Sequence, residues 1–251
     1  MDIQMHLSGG SSFPCHTPEA FMGLARSGLS DPVLGDIHLG HVQLCPQNFG
    51  GGILDESRVA ALQAAYPDTR FRLHANARIL EEPCSYDLGT AHRFPEYMAR
   101  LVGMLRFLGE PYSIHAASNG MPIMDQIMMA NALSKQAGVP VAIEGLYPSL
   151  RPGNTVSTWD GYAELLEHSV YFVVDLSHLN IVRQAEGEPP ADLVESLLGH
   201  SRCIEVHVSG NDGVRDRHEA LRGNEWWLNL LTGVNPDAVI FYEGRHPAKG
   251  V

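Results

Sequence analysis

YFVVDLSHLN, residues 171–180, opens with five residues that are mostly β-branched or aromatic and that end on a carboxylate; a histidine follows three positions later. A short apolar run of this kind suits a strand buried on both faces, as in a parallel sheet. Seven further runs share its character: 3–7 (IQMHL), 41–44 (HVQL), 70–74 (RFRLH), 112–115 (YSIH), 140–144 (PVAIE), 203–207 (CIEVH) and 238–243 (AVIFYE). Helical stretches lie between them at 17–27, 56–65, 95–108, 122–136, 159–168, 191–198 and 224–231. Thr17-Pro18 and Ser57 mark two helix starts, and Gly109 and Gly138 follow two ends. Strands alternating with helices imply a parallel sheet with crossover helices. Eight of them predict an α/β fold closed as a (β/α)₈ TIM barrel, with an open doubly wound sheet as the alternative.

The chain has 251 residues, enough for a single barrel domain over 1–251. Hydrophobic residues make up 44% and charged residues 18%, which suits a large core and excludes wholesale disorder. No apolar run approaches the roughly 18 residues of a membrane span. No basic stretch followed by an apolar block opens the chain, so no secretory signal is expected and the location expected is cytoplasmic. The formal net charge is −12, and Lys135 and Lys249 are the only lysines. Such a chain is poorly suited to a phosphate backbone. Cys15, Cys45, Cys84 and Cys203 form no CxxC pair, so free thiols are expected. Residues 75–93 read as a long polar loop. The sequence ends at Val251, soon after the last strand, so no eighth helix is expected and the gap beside it should be thinly covered, or covered by another chain.

The strand ends carry the chemistry. His74, His115, Glu144, Asp175, His207 and Glu243 close the third to eighth strands, His178 follows the sixth, and Asp216 and His218 lie in the loop after the seventh. These nine potential ligands fall on the face where barrels of this class place their active sites. Neutral imidazoles donate nitrogen lone pairs, and carboxylates can bridge two cations. Clustered carboxylates need such cations to offset their repulsion. A nitrogen and oxygen set without thiolate suits iron, zinc or manganese. His92, His168, His200 and His246 lie outside the series and read as ordinary polar residues.

The series His74, His115, Glu144, Asp175-Leu-Ser-His178, His207, Asp216-Arg-His218, Glu243 resembles the trinuclear metal set of two groups of barrel proteins. One is the endonuclease IV-type DNA repair enzymes. The other is the multinuclear non-haem iron-dependent oxidases, which modify peptides and include the methanobactin biosynthesis enzyme. Sugar isomerase and epimerase barrels of the xylose-isomerase-like type share only the subset Glu144, Asp175, His207 and Glu243. Segments 173–180 (VVDLSHLN), 207–218 (HVSGNDGVRDRH) and 42–49 (VQLCPQNF) resemble the oxidases, and the acidic, lysine-poor composition disfavours a DNA enzyme.

The oxidase resemblance implies two or three iron ions of mixed Fe(II)/Fe(III) state, dioxygen as co-substrate, and oxidation of a peptide side chain, expected to be cysteine, in ribosomal-peptide natural-product biosynthesis. It also implies a small partner protein that delivers the peptide, with no membrane and no nucleic acid involved. Glu144 would bridge ions, and His178 and His218 would hold the more exposed ones. Glu144 and Asp212 are the candidate catalytic residues, and Asn180, Ser209 and Asn211 the candidate substrate contacts. The alternatives are a zinc phosphodiesterase of the endonuclease IV type, a single-metal isomerase or epimerase barrel, and a non-catalytic metal-binding module.

Other motifs offer less. Gly50-Gly51-Gly52 admits an anion cradle or a mobile loop. No GxGxxG follows a strand, and no GxSxG elbow is present. Trp226-Trp227 reads as core or partner surface, and Met121, Met124, Met128 and Met129 read as helix packing.

Overall fold

The computed structural model describes residues 3–11, 17–26, 28–46, 52–82, 84–149 and 153–245. Eight parallel strands form its centre: β1 (Met5–Ser8), β3 (Gly35–Leu44), β4 (Arg70–Leu73), β5 (Tyr112–His115), β6 (Val141–Glu144), β7 (Tyr171–Asp175), β8 (Cys203–Val208) and β9 (Val239–Tyr242). Their spatial order is β4-β3-β1-β9-β8-β7-β6-β5, so the first strand pairs with the last. A doubly wound sheet would reverse direction partway; this order does not, and it is that of a barrel. All eight runs expected as strands are strands. A ninth, β2 (Leu29–Asp31), escaped the sequence reading; it forms a short antiparallel hairpin with the start of β3.

The helices are α1 (Pro18–Arg26), α2 (Glu56–Ala65), α3 (Pro95–Leu108), α4 (Ile123–Ala137), α5 (Trp159–Glu167), α6 (Leu176–Glu186) and α7 (Leu193–Gly199). Local chemistry sets their ends. Thr17 Oγ1 accepts from Ala20 N at the start of α1. Asp55, rather than Ser57, caps α2 by accepting from Arg58 N, and Ser57 Oγ donates to the same carboxylate. Thr158 caps α5 through Gly161 N. Gly109 and Gly138 end α3 and α4 with φ of 67° and 73°, a left-handed backbone that glycine adopts without penalty.

One expected helix needs correction, and one helix is additional. Residues 224–231 are not an α-helix; a 3₁₀ segment, Leu228–Gly233, stands there with the Trp227 ring buried beneath it. Conversely, α6 was not anticipated. It starts on the residue after Asp175 with no linker, so its first turn reads as part of a ligand motif. The loop after β4 is also less polar than expected: Ala75, Ala77, Ile79, Tyr86 and Leu88 are buried. Its Leu88 N–H donates to His115 O, covering the exposed edge of β5. Met124 and Met128 are exposed, so the methionines of α4 are only partly packing residues. Cys84 and Cys203 are free thiols. Residues 246–251, Cys15 and Gly50-Gly51 lie outside the described residues. No described helix is long and apolar enough to cross a membrane.

Candidate metal centre

The carboxyl ends of the barrel strands bring all nine candidate ligands into one network. His115 Nε2 lies 3.8 Å from Glu144 Oε1, which is 3.5 Å from His207 Nδ1. His207 Nδ1 is 3.7 Å from Glu243 Oε1, and His74 Nε2 is 4.0 Å from the same oxygen. Glu243 Oε2 lies 3.5 Å from His218 Nδ1, and His218 Nε2 is 3.1 Å from Asp216 Oδ2. His178 Nε2 closes the chain, 3.4 Å from Asp216 Oδ2 and 3.6 Å from Asp175 Oδ2.

Local structure aims these groups. Asp175 uses Oδ1 to cap α6, accepting from Ser177 N and His178 N, which leaves Oδ2 for the cluster. The same cap places His178 on the first turn of α6. His178 Nδ1 lies 2.8 Å from Gly145 O and His74 Nδ1 lies 3.0 Å from Ala75 O. A carbonyl only accepts, so both rings carry their proton on Nδ1 and turn the Nε2 lone pair inward. The loop carrying Asp216 and His218 is folded back by paired backbone bonds between Gly210 and Glu219, each 2.7 Å. A Cβ at Gly210 would stand 2.7 Å from Ala220 O, so the close approach needs glycine. His218 has φ of 47°, a left-handed conformation unfavourable to a side chain by roughly 1–2 kcal/mol. Strain of that kind is tolerated where the surrounding structure fixes a functional residue.

The electrostatics follow from crowding. Burial alone would raise the Glu144 carboxyl, but the imidazoles of His207 and His115 outweigh it and hold it well below the usual carboxylate range. Burial opposes protonation of His207, yet Glu243 and Glu144 push it well above an ordinary imidazole. His178 is raised to about 10 because Asp175 and Asp216 overcome its burial. His218 is raised to about 9, against burial, by Asp216 and Glu243. Asp175 is raised by burial, and His115 is lowered by it. With the protein's own charges alone, protons on imidazoles balance the carboxylates.

These residues fit divalent cations. Glu144 Oε2, His207 Nδ1 and His218 Nδ1 are buried and have no hydrogen-bond partner among the described residues. Such orphaned groups are costly unless a ligand satisfies them. Three donor triads lie close enough to hold an ion each: His74/Glu144/His207, Glu144/Asp175/His178 and Asp175/His207/Glu243. Glu144, Asp175 and His207 each belong to two of them, and of these three the carboxylates can bridge ions.

The remaining candidates sit apart from this network. Asp212 is at a turn, accepting from Val214 N and Arg215 N and pairing with Arg217 at 3.2 Å. Asn180 and Asn211 brace α6 against the ligand loop: Asn180 Nδ2 donates to Asn211 Oδ1, and Asn211 Nδ2 donates to Ser177 O. Trp226 Nε1 donates to Asn180 Oδ1. Ser209 Oγ is buried near the mouth with no hydrogen-bond partner among the described residues. The sequence reading passed over Ser8, Gln43, Arg72 and Glu205, which are buried inside the barrel. Arg72 and Glu205 stand two residues before His74 and His207, and a strand's period of two puts them on the same inward face. An open cleft of about 860 Å³ leads from Asp216 along α6, lined in part by Tyr147, Ile181, Val214 and Arg215. Tyr147 packs on His178, their ring centroids 4.8 Å apart.

The fold is that of a TIM barrel, similar to the barrels of solved xylose isomerase-domain proteins. Among individual structures, the chain is similar to a D-tagatose 3-epimerase-like protein, at 15% identity over 97% of this chain and 91% of that one, with a TM-score of 0.64. It is similar to an AP endonuclease of family 2 from Brucella melitensis at 14% identity over 97% and 94%, with a TM-score of 0.61. An IolI protein with a bound zinc atom matches at 11% identity over 96% and 89%, with a TM-score of 0.61. No family model and no curated protein matches the chain.

These likenesses correct the expectation of an iron-dependent oxidase. Similar barrels carry the names of epimerases, isomerase-domain proteins and an endonuclease, and the one whose name includes a dioxygenase is a fusion protein matched over 40% of its length. The physical reason is that two of the three segments behind that expectation, 173–180 and 207–218, are the ligand segments themselves. A nitrogen and oxygen donor set holds zinc or manganese as well as iron, so it cannot specify oxidation.

Proposed function

We propose that this protein is a divalent-metal-dependent phosphodiesterase, with its site at the carboxyl end of the barrel. The observation that carries the reading is the single network of nine nitrogen and oxygen donors, in which Glu144 belongs to two triads. A one-metal barrel needs only Glu144, Asp175, His207 and Glu243; the five further donors suit more than one ion. Bound divalent ions would supply an activated water and neutralise charge on a phosphoryl group. The protein's own residues do the rest. Glu144 would bridge, His74 and His115 would hold the side beside β4 and β5, and His178, Asp216 and His218 would hold the side open to the cleft. Arg215 lines that cleft and gives a phosphoester's anionic oxygens a cationic partner, while Tyr147 limits water access beside His178. The net charge of −12 favours a small phosphoester over duplex DNA.

A second reading, a one-metal epimerase or isomerase acting on a sugar, is favoured by the burial of the four-residue subset: Glu144, Asp175, His207 and Glu243 are each at most 3% exposed. One experiment separates the two. Metal-depleted protein is reloaded with zinc or manganese, its metal content is counted, and it is assayed on bis(p-nitrophenyl) phosphate, an abasic-site duplex and a ketohexose. Two or more ions per chain with metal-dependent phosphodiester cleavage supports the first reading. One ion with ketohexose epimerisation and no cleavage replaces it with the second.

A further inference from the structure

Below the donor cluster the barrel holds buried charges that the reading above does not use. Arg72 Nη1 donates to Glu205 Oε1 at 2.8 Å, and both side chains are buried. Glu205 Oε2 lies 3.3 Å from His207 Nε2. Gln43 Nε2 is 3.3 Å from the same ring nitrogen and 3.5 Å from Glu205 Oε2, while Gln43 Oε1 accepts from Ser8 Oγ at 2.8 Å. An amide nitrogen only donates and a carboxylate only accepts, so Glu205 is the group that can receive a proton from His207 Nε2. With the proton there, the Nδ1 lone pair faces Glu144 at 3.5 Å and Glu243 at 3.7 Å.

We propose that Arg72 and Glu205 act as a positioning pair that fixes the His207 ring with its Nδ1 lone pair turned toward the metal ions. Arg72 holds the Glu205 carboxylate in place from below, and Glu205 selects the ring nitrogen that carries hydrogen. The inference rests on the metal-binding reading above. A carboxylate serving only to neutralise Arg72 would have no effect on the site over it.

Arg72→Met/Glu205→Leu tests this, because removing both charges together strands neither. Zinc affinity of the metal-depleted 251-residue chain, measured by calorimetric titration, is expected to fall about 10–100-fold, the range typical of losing an outer partner of a metal-bound histidine. Nitrogen NMR of the zinc-loaded wild type is expected to show His207 ligated through Nδ1 with hydrogen on Nε2, its signal assigned by its loss in His207→Gln. An unchanged zinc affinity in the double variant, or zinc on Nε2 in the wild type, overturns the proposal while leaving the metal reading intact. The NMR result decides alone if the double variant does not fold. A wild type that takes up no zinc overturns the metal reading, and this inference with it.

Discussion

Two layers of buried charge lie one above the other in this barrel, and they are balanced differently. In the lower layer, Arg72 meets Glu205 at 2.8 Å and lies 3.6 Å from Glu110, which the exposed Arg70 also meets at 2.7 Å. Each carboxylate there has a guanidinium that never gives up its charge. In the upper layer, the ion pairs found for Glu144, Asp175, Asp216 and Glu243 are all with imidazoles. Imidazoles carry charge only when protonated, so that layer's balance can pass from protons to cations. A barrel can thus bury many charges in two ways: fixed pairs make a floor, and titratable donors make a site.

The largest test of this contrast removes one upper carboxylate. Glu144→Gln should lower metal content and reduce metal-dependent activity by more than the ~10–100-fold typical of an outer-partner loss, since two triads lose a ligand. Metal analysis, activity and circular dichroism on the same sample check it; full activity would end the bridging role. Next, Arg72→Met alone strands Glu205 in the lower layer and should cost about 3–5 kcal/mol in urea unfolding. A loss under ~1 kcal/mol would mean that the floor is not a fixed pair.

A third test uses the proton balance. In metal-free protein, His178 at about 10 and His218 at about 9 lie above their ordinary 6.5. Their contribution to stability is therefore complete below ~6.5 and is lost as pH rises through 9 to 10. Ligation needs deprotonated rings, so the stabilisation by zinc should move the other way and grow with pH. At zinc near 1,000 times its Kd the gain is about 4 kcal/mol, or roughly 10 °C in Tm for a chain of this size. Melting curves at pH 6 and 9, with and without zinc, measure both slopes; parallel slopes would sink the exchange of protons for cations. The smallest effect sets the scale: Thr158→Ala removes an ordinary cap of α5 and should cost ~1 kcal/mol while metal uptake stays the same.

The sequence reveals the nine donors for a simple reason. Six lie at or within one residue of the end of a barrel strand, and strand ends are easy to find where apolar runs stop. The floor beneath stayed hidden because Arg72, Glu205 and Gln43 interrupt apolar runs, where a polar residue looks like an outward-facing one. Asking which polar residues precede a ligand by two would have found Arg72 and Glu205. The α6 helix was missed because Asp175 is both ligand and cap, so one residue carried two signals. The role expected for Asp212 came from proximity in sequence to His207; Asn-Asp-Gly at 211–213 is equally a turn signal, and the backbone uses it as one.

The barrel has an unlaced seam. No backbone ladder joins β4 to β5 among the described residues, and the stave edges there are bridged by the 75–93 loop and by the rings of His74 and His115, 5.5 Å apart. A cask opens first where its hoop is missing, so amide hydrogens of these two staves should exchange with deuterium sooner than those of β7 and β8. An ion gripped by His74 and His115 would act as a rivet across that gap, tying occupancy of the mouth to the tightness of the wall.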